Sequence, residues 1–198
     1  MYEYIRGRLE ALNPAEAIVE TAGIGYKLQI SLASYSELEK LISTDVKLYL
    51  HHHIREDEET LFGFYTTRER ELFELLITVN GIGPGSARMI LSYLTCDDLT
   101  SAIIGEDVNK IKSVKGIGIK TAQRVIIELK DKVIKGNTLT TNIISTTAIN
   151  NPFRGEAATA LTLLGFAKPN IEKALDKILA DYPDISLEDI IKKSLKIL

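Results

Sequence analysis

The sequence predicts a multidomain α+β protein with an N-terminal five-stranded OB-like β-barrel, a central all-α tandem helix-hairpin-helix domain and a C-terminal three-helix bundle. Three observations predict this architecture. Short β-branched and aromatic segments fill the first sixty-odd residues, apolar residues recur at helical spacing from Thr67, and a Thr-, Asn- and Ser-rich segment precedes the last three helical patterns. The 198 residues, 45% of them hydrophobic and 26% charged, suffice for several small domains with buried cores.

Residues 1–64 are expected to form the barrel. Their strand-like segments are separated by turn formers such as Asn13-Pro14 and Gly23-Ile24-Gly25. Five strands in so short a span favour a small closed barrel, and the oligonucleotide-binding fold is the commonest five-stranded solution. Helical spacing within residues 34–42 predicts one inserted helix. The predicted strands are residues 4–9, 17–21, 26–30, 46–50 and 60–64.

Three further segments complete the predicted organisation. Helical patterns broken only by glycine turns and one cap-like stretch predict a helical DNA-binding domain at residues 65–135. Residues 136–151 carry no charge and are poor helix formers, which favours a flexible linker. The helical patterns at residues 152–198 predict a bundle so small that we expect it to act as a docking module.

Composition excludes several classes of protein. A net charge of −3 argues against general coating of nucleic acid, so any DNA contact must be local. The N-terminus has neither a signal peptide's apolar core nor the roughly 20 apolar residues of a membrane helix, so a cytoplasmic protein without membrane contact is expected. Cys96 is the single cysteine and is expected to be a small buried or half-buried hydrophobe. No metal site and no cofactor are expected.

A repeated glycine turn is the strongest functional signal. Residues 79–87 and 114–122 align at a spacing of 35 residues, and each has an apolar-Gly-Ile-Gly turn between two helical segments. A single such turn could merely join two packed helices, but two copies in the same frame, each followed by alanine and a basic residue, favour a tandem helix-hairpin-helix.

The chemistry of this turn suits a phosphate. Glycines at its first and third positions permit positive φ and leave the backbone open, while Ile82 and Ile117 are expected to turn inward. The first N–H groups of the following helix lack internal partners and lie at the positive end of its dipole. Two hairpins could therefore hold two backbones across a minor groove without base readout. The candidate DNA-contacting residues are Gly81, Ile82, Gly83, Gly85, Ser86, Arg88, Lys115, Gly116, Ile117, Gly118, Lys120, Thr121 and Arg124.

Rival functions have weaker signals. Ile119 separates Gly118 from Lys120-Thr121, so a P-loop cannot form, and no catalytic or metal-binding constellation follows the second hairpin. His51-His52-His53 lacks acidic or cysteine partners for a metal site. A generic single-strand or duplex DNA-binding repair protein remains an alternative. Its stacking platform would be Tyr2, Tyr4, Tyr26 and Tyr49.

With these residues in place, the chain resembles the RuvA family of Holliday junction branch migration proteins over nearly its whole length. The two hairpins occur together with an Arg55-Glu56-Asp57 loop, which makes the match specific. Further shared features, in order, are Ile5-Arg6-Gly7-Arg8, Gly23-Ile24-Gly25-Tyr26, Leu61-Phe62-Gly63-Phe64, Glu71-Leu72-Phe73 and Leu163-Leu164-Gly165-Phe166.

The resemblance implies a DNA-binding, non-catalytic subunit of an ATP-dependent helicase complex in recombination and repair. Members form a homotetramer on a Holliday junction, sometimes doubled to an octamer, recruit the hexameric ATPase RuvB and share the junction with the resolvase RuvC. Glu56 and Asp57 match the family's acidic pin, and the C-terminal domain is its RuvB contact. Residues that the small bundle cannot bury, namely Leu164, Phe166 and Ile197, are the candidate partner-binding residues.

Two positions depart from the family pattern. Gly85 and Ile119 stand where some relatives carry lysine, so two phosphate-contacting side chains are missing. We expect weaker junction binding than in a lysine-rich relative, with a shallower dependence on salt.

Overall fold

The computed structural model describes residues 2–141, 151–183 and 185–198. These residues form two compact units, one on each side of a division after residue 142, and each is described by itself.

The N-terminal residues form a closed five-stranded barrel, as predicted. The strand order around it is β1-β2-β3-β5-β4, and every neighbouring pair is antiparallel except β3 and β5. Strand β4 is longer than predicted, because it continues through the three histidines to Ile54. The strands are β1 Tyr4–Asn13, β2 Glu16–Thr21, β3 Ile24–Gln29, β4 Asp45–Ile54 and β5 Glu59–Phe64.

The inserted helix α1, Leu32–Leu38, lies between β3 and β4 and is followed by a 3-10 turn at Glu39–Leu41. Its N-terminus is capped by Ser31, whose hydroxyl accepts a hydrogen bond from the Ser34 amide. Leu38 is fully buried in the barrel core. The insertion therefore helps to fill the barrel.

The helical domain follows β5 directly. Its helices are capped by Thr66, Thr95 and Asp107, whose side chains accept backbone hydrogen bonds from the first turns. Cys96 is half-buried and packs against this domain's core, as expected. The helices are α2 Thr67–Ile77, α3 Pro84–Tyr93, α4 Cys96–Ile104, α5 Val108–Lys112 and α6 Ile119–Thr141.

The core of the helical domain extends onto strand β5 of the barrel, whose own core is a separate cluster. Phe62 and Phe64 of β5 lie 5.0 and 4.9 Å, between ring centroids, from Phe73 of α2. All three side chains are buried among the apolar residues of the helices. The sequence places a domain boundary after residue 64, but residues on both sides of it belong to one compact unit.

The predicted linker begins too early. Helix α6 continues to Thr141, although residues 136–141 were expected to be linker. The physical reason is that extending an established helix costs far less than starting one, so poor helix formers can be carried along at its end. The remaining linker residues 142–150 lie outside the described residues.

The second unit is a three-helix bundle, as predicted. It consists of α7 Arg154–Leu163, α8 Lys168–Asp181 and α9 Leu187–Ser194. Its core is formed by apolar residues at helical spacing, among them Leu161, Leu175 and Ile190. Asn151, predicted as linker, belongs to this unit, because its side-chain amide donates hydrogen bonds of 3.0 and 2.9 Å to the carbonyls of Pro183 and Ile185. No helix in the described part of the chain is both long and apolar enough to cross a membrane.

Candidate nucleic-acid interface

The first hairpin joins α2 to α3 and matches the predicted geometry at its first glycine. Gly81 has φ 94°, a value that favours glycine. The Ile82 amide donates a 3.0 Å hydrogen bond to the Val79 carbonyl, and the Ile82 side chain is buried between the helices. The isoleucine anchors the turn, as the sequence predicted.

The second hairpin, between α5 and α6, repeats this arrangement. Gly116 has φ 89°, the Ile117 amide donates a 3.1 Å hydrogen bond to the Val114 carbonyl, and Ile117 is buried. The sequence repeat is thus a structural repeat.

The third-position glycines do not have the expected positive φ. Gly83 has φ −87° as the N-cap of α3, and Gly118 is not among the glycines with positive φ. An N-cap residue has extended backbone, which any residue can adopt. Glycine is therefore not required at these two positions by backbone strain.

The backbone at both hairpins is bare. A Cβ added at Gly83 or Gly118 would meet no atom within 4 Å, and the same holds at Gly81, Gly85 and Gly116. Internal packing explains none of these glycines, and backbone strain does not explain Gly83 or Gly118. Close approach of an external group would explain them.

Helices α3 and α6 present amides without internal partners. The first helical hydrogen bonds are donated by Ala87 to the Gly83 carbonyl at 3.0 Å and by Ala122 to the Gly118 carbonyl at 2.9 Å. The preceding N–H groups have no acceptor among the described residues. Because Pro84 lacks an N–H group, the first hairpin has two such helical amides and the second has three. They are Gly85 and Ser86 in α3 and Ile119, Lys120 and Thr121 in α6.

Exposed cationic side chains lie at the second hairpin and along α6. Lys115, Lys120 and Arg124 are exposed at the second hairpin. The Arg124 guanidinium donates a 3.5 Å hydrogen bond to the Asn80 carbonyl in the first turn, so it lies between the hairpins. Lys132, which the sequence analysis missed, donates a 3.3 Å hydrogen bond to the Thr78 hydroxyl. The sequence feature that could have indicated Lys132 is its position about three helical turns after Lys120 on α6.

Arg88 has a different environment from the one predicted. Its guanidinium donates a 2.9 Å hydrogen bond to the carbonyl of Ala15, in the β1–β2 turn of the barrel. This contact connects α3 to the barrel, so the Arg88 guanidinium has an internal partner, as that of Arg124 does.

Some of the domain's acidic side chains form ion pairs within the protein. Arg68 pairs with Asp97 at 2.7 Å, and Lys110 pairs with Asp98 at 2.7 Å. The hydrogen bond from Lys110 lowers the pKa of Asp98 below its usual value. The chain's net negative charge is concentrated in residues 1–64, which hold six Lys and Arg against eleven Asp and Glu, whereas residues 65–134 hold ten against nine. A local cationic surface is thus compatible with a net charge of −3.

Glu56 and Asp57 lie at the exposed tip of the β4–β5 hairpin, which is closed by a 2.8 Å hydrogen bond from the Arg55 amide to the Glu58 carbonyl. Neither carboxylate has a hydrogen-bond or ion-pair partner among the described residues. The tip therefore presents uncompensated negative charge.

The three histidines lie at the stem of this hairpin and have internal partners. His51 Nδ1 is 3.2 Å from a Glu74 carboxylate oxygen, and His52 Nε2 is 2.6 Å from one of Glu59. Arg55 Nε donates a 3.1 Å hydrogen bond to His53 Nε2. Burial and the neighbouring Arg55 lower the pKa of His53 below its usual value. The described residues contain no group of three metal-ligating side chains.

Comparison with known proteins agrees with this geometry. Residues 1–63 match the RuvA N terminal domain, residues 73–131 the SAM-like helix-hairpin-helix tandem and residues 152–198 the RuvA C-terminal domain. The chain is 45% identical to the Holliday junction branch migration complex subunit RuvA of Bacteroides fragilis over 201 residues, covering 99% of each chain. The same subunit of Cytophaga hutchinsonii is 45% identical, again with 99% of each chain covered, and that of Porphyromonas gingivalis is 40% identical with both chains covered completely. The chain belongs to the RuvA family.

The RuvA C-terminal match covers the candidate partner-binding residues. Leu164 and Ile197 are exposed by 58% and 50%, as expected for side chains that the bundle does not bury. Phe166 packs against the bundle core, so part of its surface is used internally. Leu163 is exposed by 84% and was missed. It lies two residues after Leu161 and so is off the buried face of α7.

Proposed function

We propose that this chain binds Holliday junctions without sequence preference as the DNA-binding subunit of a branch migration complex. The observation that carries the proposal is the pair of hairpins whose helical amides lack internal acceptors. Each set of amides suits one phosphate, because the helix dipole and the N–H groups both attract the phosphate oxygens. The name shared by the relatives, branch migration complex subunit RuvA, supports the same function.

Sequence independence follows from the kind of contact. Backbone amides and lysine side chains at the hairpins suit phosphate oxygens, which are the same at every base step. Binding should therefore depend on the spacing of backbones and on salt rather than on base sequence.

Preference for a junction requires an element that disfavours continuous duplex. Glu56 and Asp57 supply it in our proposal, because unpaired carboxylates repel phosphates that pass across the centre of a cationic surface. Strands that part at that point avoid the repulsion. The hairpin tip would thus act as an acidic pin.

The complete assembly would be a homotetramer on the junction, or an octamer enclosing it. The chain would recruit the hexameric ATPase RuvB through the exposed residues Leu164 and Ile197 together with Leu163, and share the junction with RuvC. ATP hydrolysis would belong to RuvB. This chain would contribute junction binding in recombination and repair, and no catalysis of its own.

The test replaces the N-cap glycines. Gly83→Asp with Gly118→Asp puts a carboxylate at each phosphate position, and aspartate is a favourable N-cap at an open site. In a gel shift we expect the wild type to prefer a four-way junction to duplex and single strands of equal length, and the double variant to lose this binding. Valine at Gly81 and Gly116 would be a poorer test, since their positive φ would strain it.

The matched control is Gly83→Asn with Gly118→Asn. Asparagine has the same shape and also caps a helix, but it carries no charge. Binding that is lost equally in both double variants would point to steric damage, and junction binding retained in the aspartate variant would refute the proposal.

A further inference from the structure

A cavity of about 300 Å³ opens at one mouth of the barrel. Every strand contributes to its wall: Ile5 from β1, Thr21 from β2, Tyr26 from β3, Leu50 from β4 and Leu61 from β5. The volume is at the lower end of the range for small-ligand pockets, and barrel mouths are among the places where such pockets form.

The cavity lies at the same end of the barrel as the acidic hairpin tip. Its residues come from the first halves of β1, β3 and β5, from the last residue of β2 and from the second half of β4. The β4–β5 hairpin connects the end of β4 to the start of β5, at that same end. A ligand in the cavity would therefore lie at the same end of the barrel as Glu56 and Asp57.

Two aromatic side chains at the cavity are left exposed by folding. Tyr2 and Tyr4 each expose 53% of their surface. The Tyr2 ring lies 5.2 Å from the His52 ring, and Lys47 Nζ lies 4.2 Å from the centre of the Tyr4 ring. Arg6, which also lines the cavity, is exposed. The cavity thus combines apolar walls, half-exposed aromatic side chains and cationic groups at its edge.

This combination suits a flat aromatic group that carries one negative charge. A nucleobase stacks on aromatic faces irrespective of its identity, and a phosphate attached to it could reach an arginine or lysine. A long single strand is disfavoured here, since residues 1–64 hold more acidic than basic side chains. One nucleotide fits these constraints better than a tract of them.

We propose that the barrel mouth binds a single unpaired nucleotide of a DNA strand, with its base against Tyr2 and Tyr4 and its phosphate near Arg6. This inference rests on the proposed function, because the unpaired nucleotide would arise where strands part beside the acidic tip. Capture of the base would stabilise the open junction centre, while the hairpins hold the arms.

The test uses the full chain and four-way junctions that carry the fluorescent adenine analogue 2-aminopurine. The analogue is placed either at the crossover or in the middle of an arm. Protein binding should change the emission at the crossover and leave the arm position unchanged. Tyr2→Ala with Tyr4→Ala should remove most of the crossover change, and should weaken binding of a short single strand about fivefold or more.

Tyr93→Ala is the matched control. Tyr93 is an exposed tyrosine at the C-terminal end of α3, and it does not line the cavity. Its loss should leave both signals unchanged. A crossover signal that survives the double tyrosine variant, or that falls equally in Tyr93→Ala, would overturn the inference.

Excess thymidine 5′-monophosphate separates two sources of the same chemistry. A crossover emission change that persists in the presence of the competitor supports a nucleotide held within the strand. If the competitor abolishes this change while the junction stays bound, the pocket binds free nucleotides, contrary to the inference. The gel shift keeps the two proposals distinct. Junction preference without a crossover signal would refute only the barrel-mouth pocket, whereas absence of junction preference would refute the proposed function.

Discussion

Glu69 on α2 accepts a 2.7 Å hydrogen bond from the hydroxyl of Ser34 on α1. The Ser31 hydroxyl donates to the other carboxylate oxygen, and the Ser34 hydroxyl accepts a 2.8 Å hydrogen bond from the Tyr65 amide. All three polar side chains are buried. The network joins the helix inserted in the barrel to the first helix of the DNA-binding domain, and so helps to fix the acidic tip relative to the hairpins.

Removing this carboxylate should destabilise the protein. Glu69→Ala leaves the hydroxyls of Ser31 and Ser34 without their buried acceptor, which costs about 2 kcal/mol of unfolding free energy. Glu69→Gln keeps an acceptor and a similar shape and should cost less. Urea denaturation measures both, and equal losses in the two variants would contradict the hydrogen-bond explanation.

The same residue predicts a pH dependence. Burial raises the pKa of Glu69 above its usual value of 4.5. An acid whose folded pKa exceeds its unfolded pKa binds more protons when folded, so its contribution to stability falls as pH rises from the unfolded to the folded value. We expect wild-type stability to lose this contribution across that window, and the loss to be absent in Glu69→Gln. Identical profiles of stability against pH in the wild type and Glu69→Gln would refute this prediction.

The salt dependence of junction binding should identify the cations that contact phosphate. Lys115→Gln and Lys120→Gln should each lower the slope of log affinity against log salt by about 0.9 if each lysine neutralises one phosphate. Lys110→Gln and Lys130→Gln are controls, since those lysines pair with Asp98 and Glu106. Equal changes in slope for both pairs would contradict the assignment.

Restoring lysine at the two divergent positions should strengthen binding. A Cβ added at Gly85 would meet no atom within 4 Å, and the Ile119 side chain is exposed by 51%. Both sites can therefore accept a lysine. Gly85→Lys and Ile119→Lys should tighten junction binding and steepen the salt slope by up to about 0.9 each. Gly85→Gln and Ile119→Gln control for shape. An unchanged slope in the lysine variants would remove the idea that the missing lysines matter.

The first and third glycines of a hairpin differ in backbone conformation, so replacing each with alanine should change the free energy of unfolding by different amounts. Gly81→Ala places a Cβ at φ 94° and should cost about 1–2 kcal/mol of unfolding free energy. Gly83→Ala introduces a Cβ at φ −87° into open space without backbone strain and should cost less, about 0.5 kcal/mol, because alanine is a poorer N-cap than glycine. Thermal unfolding compares them. Similar losses would show that the third-position glycine is also needed for folding.

Neutralising the hairpin tip should weaken discrimination. Glu56→Gln with Asp57→Asn removes the repulsion of phosphates, so affinity for linear duplex should rise more than affinity for the junction. Glu128→Gln, an exposed acidic residue on α6, is the control. A junction-to-duplex preference that the tip variant leaves intact would exclude the pin role.

Local pattern was sufficient for much of this protein. Short segments rich in β-branched and aromatic residues predicted the barrel strands, helical spacing predicted the helices, and the repeated Gly-Ile-Gly predicted both turns with Ile82 and Ile117 turned inward. These features depend on interactions between residues close in the chain, which the order of residues expresses directly.

Only the tertiary structure decided features that depend on residues far apart in the chain. These are the hydrogen bond from Arg88 to the Ala15 carbonyl, the position of Lys132 beside Thr78, and the cavity walled by all five strands. The extension of α6 to Thr141 also escaped prediction, because propensity is a weak guide where a long helix is already established. Such contacts follow from how elements pack, and packing geometry is not encoded at any fixed spacing along the chain.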